Sequence, residues 1–307
     1  LKRDDLAQKL ATKIKNTNVK ESAFSIGIES PWGFGKTSFI NLLCNHLTDK
    51  NTIIIKFNPW NYDKERSLVD AFFVELRETL KIYDSSLSTT LTQYGNILSH
   101  SNHDTIKLSA EFIQCFSSQS FKIKRDKVDA AIKSIGKLIV VVIDDLDRLD
   151  KDEIISVLKL IRNSANFPNM VFVSAYDKEY LVETLKEDIC NSNKYLEKIF
   201  QYQFKLPEYD KSKLQELLSK NGEIFIEGSD KNEFQTVLND DYLKPSGNGI
   251  LLNNIDNIRD VYRFLNSFKF VYQSLKGEIV IKDLMYIELL RMKYYDVYEL
   301  LSKEHEL

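Results

Sequence analysis

The segment 30–38, "SPWGFGKTS", contains residue types that can hold a phosphate. Gly33 and Gly35 allow backbone N–H groups to turn toward an anion. Lys36 can reach the β- and γ-phosphates of a nucleotide, and the Thr37 hydroxyl can ligate Mg²⁺. A strand pattern precedes the segment and a helix pattern follows it, which is the context that such a loop requires.

One position departs from the usual pattern, Gly-x-x-x-x-Gly-Lys-Ser/Thr, because Ser30 stands where a glycine is expected. Pro31 favours an extended conformation for Ser30, so a serine fits if its backbone avoids positive φ. A glycine-rich turn with a surface lysine is the alternative interpretation. The predicted phosphate loop consists of Ser30, Pro31, Trp32, Gly33, Phe34, Gly35, Lys36, Thr37 and Ser38.

A second cluster of reactive groups lies in "VVVIDDLDRLD", residues 140–150. Asp144 ends the most hydrophobic run of the chain, where a carboxylate can complete a Mg²⁺ site. Asp145 follows, where an acid can orient or deprotonate a water molecule. Aspartate is one methylene shorter than glutamate, so we expect slow hydrolysis, with Asp147 as the next candidate base. Asp150 is expected only to favour the start of the next helix.

The elements that must position these groups alternate between apolar runs and helical patterns, which predicts an α/β fold with a mostly parallel sheet. Strands are predicted at 24–29, 52–58, 137–145, 170–177 and 202–207, and helices at 4–16, 37–47, 67–80, 153–163 and 180–189. We assign this core to residues 1–207.

Two regions break the alternation. Residues 84–126 are rich in Ser, Thr, Asn and Gln and are predicted to be a polar insertion or mobile flap, with irregular surface helices as the alternative. Residues 208–307 are predicted to form a separate helical lid, with helices at 257–275 and 281–303.

These motifs resemble those of the KAP family of P-loop NTPases, over roughly residues 4–270. The specific parts are Trp32 inside the loop and the Asp-Asp-Leu-Asp-Arg string. The remaining matches are "FNPW" (57–60), "FVSAYDKEYL" (172–181), "KYLEKIFQYQFKLP" (194–207) and "NIRDVYRFLN" (257–266). The resemblance implies a P-loop NTPase fold with an additional strand between the loop strand and the acidic strand.

The resemblance also implies roles for individual residues. Lys36 and Thr37 bind phosphates and Mg²⁺, Asp144 completes the metal site, and Asp145 takes the position of the catalytic base. Asp177 is a polar sensor, and Arg259, with Arg263 as a further candidate, reaches toward the nucleotide from the lid. Many relatives carry membrane helices between the two motifs, but residues 84–126 are too polar for that.

The predicted function is Mg²⁺-dependent binding and slow hydrolysis of ATP, as a switch or assembly module in a larger protein. ATP rather than GTP is implied by the family, as is a link to defence against phage or plasmids. A homo-oligomer or an effector protein or domain is the expected partner. The alternatives are an ATPase stimulated by DNA or RNA, and an ATP-binding scaffold without hydrolysis.

The composition narrows the class of protein. The net charge of −3 over 307 residues argues against a globally basic nucleic-acid binder. The three cysteines, Cys44, Cys115 and Cys190, are scattered, which favours a reducing compartment and hence the cytoplasm. The sequence contains no run of eighteen apolar residues, so it predicts no membrane span. The chain starts at Leu1 without Met, so we expect an excised piece of a longer protein.

Several conspicuous residues have more ordinary interpretations. Trp60 is expected in the core, whereas for Trp32 core packing and a role in the loop stay open. A salt bridge to a nearby carboxylate is favoured for Arg148 over a charge-stabilising finger. His100 and His103 are expected in a polar loop rather than in a zinc site. The aromatic runs "FKFVYQ" and "MKYYDVYELL" favour core or subunit contacts over nucleic-acid stacking.

Overall fold

The computed structural model describes residues 3–62, 67–100, 119–189, 191–243 and 249–304. Cys115, Cys190 and His103 lie outside these ranges. The chain divides into two compact units, Leu1–Trp32 with Lys36–Leu206, and Gly33–Gly35 with Pro207–Leu307.

The first unit contains a five-stranded sheet of β1 (Phe24–Glu29), β2 (Thr52–Phe57), β3 (Leu138–Ile143), β4 (Met170–Tyr176) and β5 (Tyr202–Lys205). The strand order is β2-β3-β4-β1-β5, and each neighbouring pair is parallel. The predicted α/β P-loop fold with five parallel core strands is confirmed. β4 lies between the loop strand β1 and the acidic strand β3, as the additional-strand class requires.

Helices cover both faces of this sheet because alternate residues of each strand point to opposite sides. Ile139, Val141 and Ile143 of β3 join one buried cluster, whereas Val140 and Val142 join the other. Burial on both faces explains the almost continuous apolar run of this strand. The helices are α1 (Arg3–Asn16), α2 (Lys36–Leu47), α3 (Leu68–Leu80), α4 (Ser85–His100), α5 (Gln119–Ile135), α6 (Lys151–Lys159), α7 (Lys178–Leu185) and α8 (Ser192–Ile199).

In the region 84–126, where a polar flap or irregular surface helices are predicted, the described residues form the regular helix α4 and the first turns of α5. One face of α4 is fully buried in the core through Leu87, Leu91, Tyr94 and Leu98. The Tyr94 hydroxyl donates to the carbonyl oxygen of Ser164 at 2.9 Å. Ser and Thr residues between these positions hide the apolar stripe when the segment is judged by composition.

Asp150 is the N-cap of α6, at the helix start where the sequence analysis expects it. Asp150 Oδ1 accepts from the N–H of Glu153 at 3.0 Å, and Glu153 Oε2 accepts from the N–H of Asp150 at 2.9 Å. This reciprocal capping box satisfies backbone donors that a helix start leaves open. The predicted helix 153–163 is not regular throughout, because a π-helical turn, Leu160–Ser164, follows α6.

The secondary structure described in the second unit consists of helices. Its helices are α9 (Lys211–Gly222), α10 (Ser229–Leu243), α11 (Ile250–Asn253), α12 (Ile258–Leu275), α13 (Ile281–Lys293) and α14 (Tyr295–Glu304). The predicted single helix over 281–303 is wrong, because Tyr294 interrupts it with φ −135° and ψ 55°. Phe268 and Tyr272 of α12 are buried, so core packing is the correct interpretation of these two rings.

Candidate functional site

The loop after β1 adopts the conformation that its glycines permit. Gly33 and Gly35 have φ values of 89° and 78°, in the left-handed region where side chains are strained. Ser30 has no positive φ, and its N–H donates to the carbonyl oxygen of Tyr176 at 3.1 Å. The serine fits at position 30 because the loop needs no left-handed residue there.

Lys36 is the first residue of α2, and its side chain is buried. The ammonium donates to the carbonyl oxygen of Ser30 and to Asp147 Oδ2, each at 2.9 Å. A longer contact of 3.5 Å reaches the carbonyl oxygen of Pro31. The interpretation as a surface lysine is therefore wrong, since the chain holds this cation against the backbone of the loop.

The two carboxylates after β3 differ in their surroundings. Asp144 Oδ1 accepts from the N–H of Asp145 at 2.9 Å. Asp145 itself has φ 58° and ψ 37°, a conformation that is uncommon outside glycine. Burial, followed by the charge of Asp144, raises the pKa of Asp145. Its Oδ1 lies 3.2 Å from Arg148 Nε, which confirms the salt bridge favoured for that arginine.

Asp147 lies in the 3₁₀ turn Leu146–Arg148 and is the candidate base that comes after Asp145. Its side chain is 7% exposed, as is that of Lys36. Oδ2 accepts from Lys36, whereas Oδ1 has no hydrogen-bond partner within the described part of the chain. The available sequence signal was the third aspartate of the Asp-Asp-Leu-Asp string, but its spacing does not reveal which acid meets the lysine.

Asp177 follows β4 and connects the loop to the next helix. Its Oδ1 accepts from the N–H groups of Glu179 at 3.1 Å and Tyr180 at 3.4 Å, which caps α7. Its Oδ2 accepts from the N–H of Trp32 at 3.2 Å. This carboxylate therefore holds both the start of α7 and the backbone of the loop.

Both tryptophans have exposed side chains. Trp60 is 55% exposed, so its predicted core position is wrong. It lies in the 3₁₀ turn Pro59–Asn61, which Asn58 caps by accepting from the Trp60 N–H at 3.2 Å. Trp32 is 60% exposed, which leaves the loop role and removes the core interpretation.

The residues predicted to bind Mg²⁺ would supply only some of the ligands of the ion. Thr37 and Ser38 are exposed in the first turn of α2, and Asp144 is half-buried after β3. Among the described residues, no group of three or more His, Cys, Asp or Glu side chains could hold a metal. Mg²⁺ typically takes one or two carboxylates together with phosphate oxygens and water. The residues present therefore suit an ion that binds together with a nucleotide.

The remaining predicted residues belong to the second unit. Phe34 stacks on Tyr209 with ring centroids 5.9 Å apart, and the Tyr209 hydroxyl donates to the carbonyl oxygen of Phe34 at 2.9 Å. A side chain at Gly33 would approach Asn257 Oδ1 to 2.9 Å, so this position requires glycine for space as well as conformation. Arg259 and Arg263 lie on the exposed side of α12.

No helix in the described ranges has both the length and the hydrophobicity of a membrane span.

The profile of the KAP family P-loop domain matches residues 3–275, which is most of the chain. The chain belongs to the KAP family of P-loop domains. The family resemblance seen in the motifs is thereby confirmed.

One curated relative of this KAP domain is the phage T7 exclusion protein of Escherichia coli (strain K12). The two are 24% identical over 324 residues, which covers 91% of this chain and 42% of the relative. The KAP domain thus spans less than half of that protein's length.

Solved structures with a similar fold include origin-recognition proteins. The Aeropyrum pernix ORC1 protein in complex with DNA has 12% identity and a TM-score of 0.43, covering 95% of this chain and 64% of that one. Drosophila ORC bound to DNA has 13% identity and a TM-score of 0.49, covering 95% and 60%. Similarities of this size have no bearing on the ligands or partners of the KAP domain.

Proposed function

We propose that the KAP domain binds ATP with Mg²⁺ and hydrolyses it slowly, as a nucleotide-dependent switch or assembly module of a larger protein. The observation that carries the proposal is the placement of Lys36. This buried ammonium lies at the first residue of α2 and donates to the loop carbonyl of Ser30. Its position behind two left-handed glycines matches what a triphosphate requires.

The residues of the first unit have separate tasks in this proposal. Backbone N–H groups of the loop and the start of α2 receive the phosphates, and Lys36 neutralises their charge. Thr37 and Asp144 hold the Mg²⁺ ion, which when bound withdraws charge from the phosphate oxygens. Asp145 orients the attacking water, and its raised pKa suits a group that must accept a proton.

The same proposal gives different roles to the two parts of the chain. Residues 1–207 form the P-loop core and residues 208–307 the helical lid. Arg259 and Arg263 enter as nucleotide sensors by family resemblance, and Asp177 senses the state of the loop through Trp32. Association with another copy or with an effector transmits the nucleotide state.

The test measures ATP binding and single-turnover hydrolysis in the same preparations. We expect Lys36→Ala to weaken Mg²⁺-ATP binding about 100-fold, the order of a lost charge-assisted contact worth about 3 kcal/mol. Lys9→Ala, which removes an exposed lysine of α1, is the matched control. Asp145→Asn should bind ATP normally but hydrolyse it about 100-fold more slowly.

Each result bears on a different part of the proposal. Equal ATP affinity of Lys36→Ala and wild type would refute the nucleotide site. An unchanged rate in Asp145→Asn would remove that residue as the base. Tight ATP binding without turnover in the wild type would select the alternative of a scaffold.

A role in phage defence is proposed from the relative's name, phage T7 exclusion protein. The full-length protein should reduce phage plaque numbers in a bacterial host, and Lys36→Ala should abolish the reduction. Equal plaque numbers with and without the wild-type protein across a phage panel would count against this role.

A further inference from the structure

The N–H donors of the Lys36 ammonium already face acceptors within the protein. An ammonium carries three N–H donors, and its acceptors are Ser30 O and Asp147 Oδ2 at 2.9 Å and Pro31 O at 3.5 Å. The contact at 3.5 Å is too long for a full hydrogen bond, so a phosphate oxygen competes for this cation mainly with the two acceptors at 2.9 Å. The two carbonyl oxygens belong to the loop that surrounds the phosphate, so the acceptor free to leave is the side chain of Asp147.

Asp147 differs from the other two carboxylates of this strand end in its partners. Asp145 already pairs with Arg148, and Asp144 accepts a backbone N–H. Asp147 receives its side-chain hydrogen bond from Lys36, and its Oδ1 is buried without a partner in the described part of the chain. A buried carboxylate with an unsatisfied oxygen needs a new cation or donor once its lysine leaves.

We propose that Asp147 competes with the nucleotide phosphates for Lys36 and thereby makes triphosphate binding depend on Mg²⁺. Binding exchanges the ion pair between Lys36 and Asp147 for one between Lys36 and phosphate. The released carboxylate then lies beside the anionic ligand, where the two repel each other unless a divalent cation is present. This inference rests on the proposed function, because it assumes that the loop holds a triphosphate.

The consequence is a difference between binding with and without the metal. In the wild type, polyphosphate without Mg²⁺ must displace a charged competitor and tolerate its repulsion. In Asp147→Asn the competing side chain is neutral, so the metal-free ligand binds more tightly than in wild type. Mg²⁺ then increases the affinity by a smaller factor. The ratio of the Kd in EDTA to the Kd in magnesium chloride is therefore the quantity that reports on Asp147.

The experiment measures this ratio by calorimetry with inorganic tripolyphosphate, for wild type and for Asp147→Asn. We expect Asp147→Asn to bind tripolyphosphate in EDTA about tenfold more tightly than wild type and to show a ratio about tenfold smaller. Asp147→Glu keeps the charge and should retain the wild-type ratio. Asp152→Asn removes an equal charge from an exposed position of α6 and should also behave as wild type.

The outcomes separate this inference from the proposed function. If wild type binds Mg²⁺-ATP but Asp147→Asn keeps the wild-type ratio, the competition is refuted and the nucleotide site stands. A ratio that falls equally in Asp152→Asn also refutes it, because overall charge then accounts for the effect. If wild type binds neither ATP nor tripolyphosphate, both proposals fail. Should Asp147→Asn not fold, Asp147→Ser carries the same expectation.

Discussion

Each of the two units contains a lysine–aspartate pair with a buried carboxylate, and the two pairs differ in how completely they are satisfied. In the first unit Lys36 lies 2.9 Å from Asp147, and in the second Lys293 lies 2.8 Å from Asp260. The aspartate side chains are each 7% exposed. The distance and the burial of the carboxylate alone would therefore assign both pairs the same role.

The second aspartate has additional donors that the first lacks. Asp260 Oδ2 also accepts from the N–H of Asp256 and from Asn257 Nδ2, each at 3.2 Å. Within the described part of the chain, Asp147 Oδ2 accepts from Lys36 and Oδ1 has no hydrogen-bond partner. A carboxylate with several fixed donors stabilises the fold through all of them, whereas one whose side-chain hydrogen bond comes from a lysine alone loses fewer contacts when that lysine turns to a ligand. The Lys293–Asp260 pair is thus held by more contacts than the Lys36–Asp147 pair.

The largest effect is expected from breaking the satisfied pair. Asp260→Asn should lower the free energy of unfolding by about 3 kcal/mol, because two further donors lose their charged acceptor and Lys293 keeps only its longer contact, 3.6 Å, with Asp256 Oδ2. Denaturant unfolding followed by circular dichroism measures this loss. The control is Asp283→Asn, an exposed acid of α13. A loss no larger than in the control would contradict the structural assignment.

A smaller effect is expected from the unsatisfied pair. Asp147→Asn should cost about 1 kcal/mol or less, because Lys36 keeps the carbonyl oxygen of Ser30 and the unpartnered oxygen loses its charge. The same unfolding measurement, without nucleotide, checks it. Equal losses in Asp147→Asn and Asp260→Asn would erase the distinction between the two pairs.

The smallest effect is expected from an exposed pair, Lys15 with Asp49, whose side chains are 33% and 38% exposed. Hydrogen bonds from Lys15 and then from the Asn51 N–H lower the pKa of Asp49 to about 2. A carboxyl with a lowered folded pKa stabilises the fold above its unfolded pKa and loses that contribution as the pH falls through the folded value.

We therefore expect Asp49→Asn to lower Tm slightly at neutral pH. The difference from wild type should close between about pH 4 and about pH 2. Thermal melts across this range provide the measurement, with Asp5→Asn as the exposed control on α1. A difference that widens as the pH falls would show that the ion pair is not its source.

The predictions that succeeded rest on local patterns. The boundaries of β1 coincide with its predicted run, 24–29, and the loop glycines have the left-handed conformations that their residue type allows. The failures involve packing partners. Trp60 is exposed although its size favours burial, and the stripe of α4 is buried although its composition is polar. The sequence around Tyr294 contains no proline or glycine that would predict the break between α13 and α14.

The sequence by itself determined the parallel α/β core, the phosphate loop and the acidic strand end, because strand periodicity, glycine conformation and strand-end carboxylates are properties of short segments. Only the tertiary structure decided which of three neighbouring acids meets Lys36. Lys36 and Asp147 are 111 residues apart, and their contact depends on strand order and on the 3₁₀ turn after β3. Those features arise from the packing of distant segments, so residue types and spacing did not contain them.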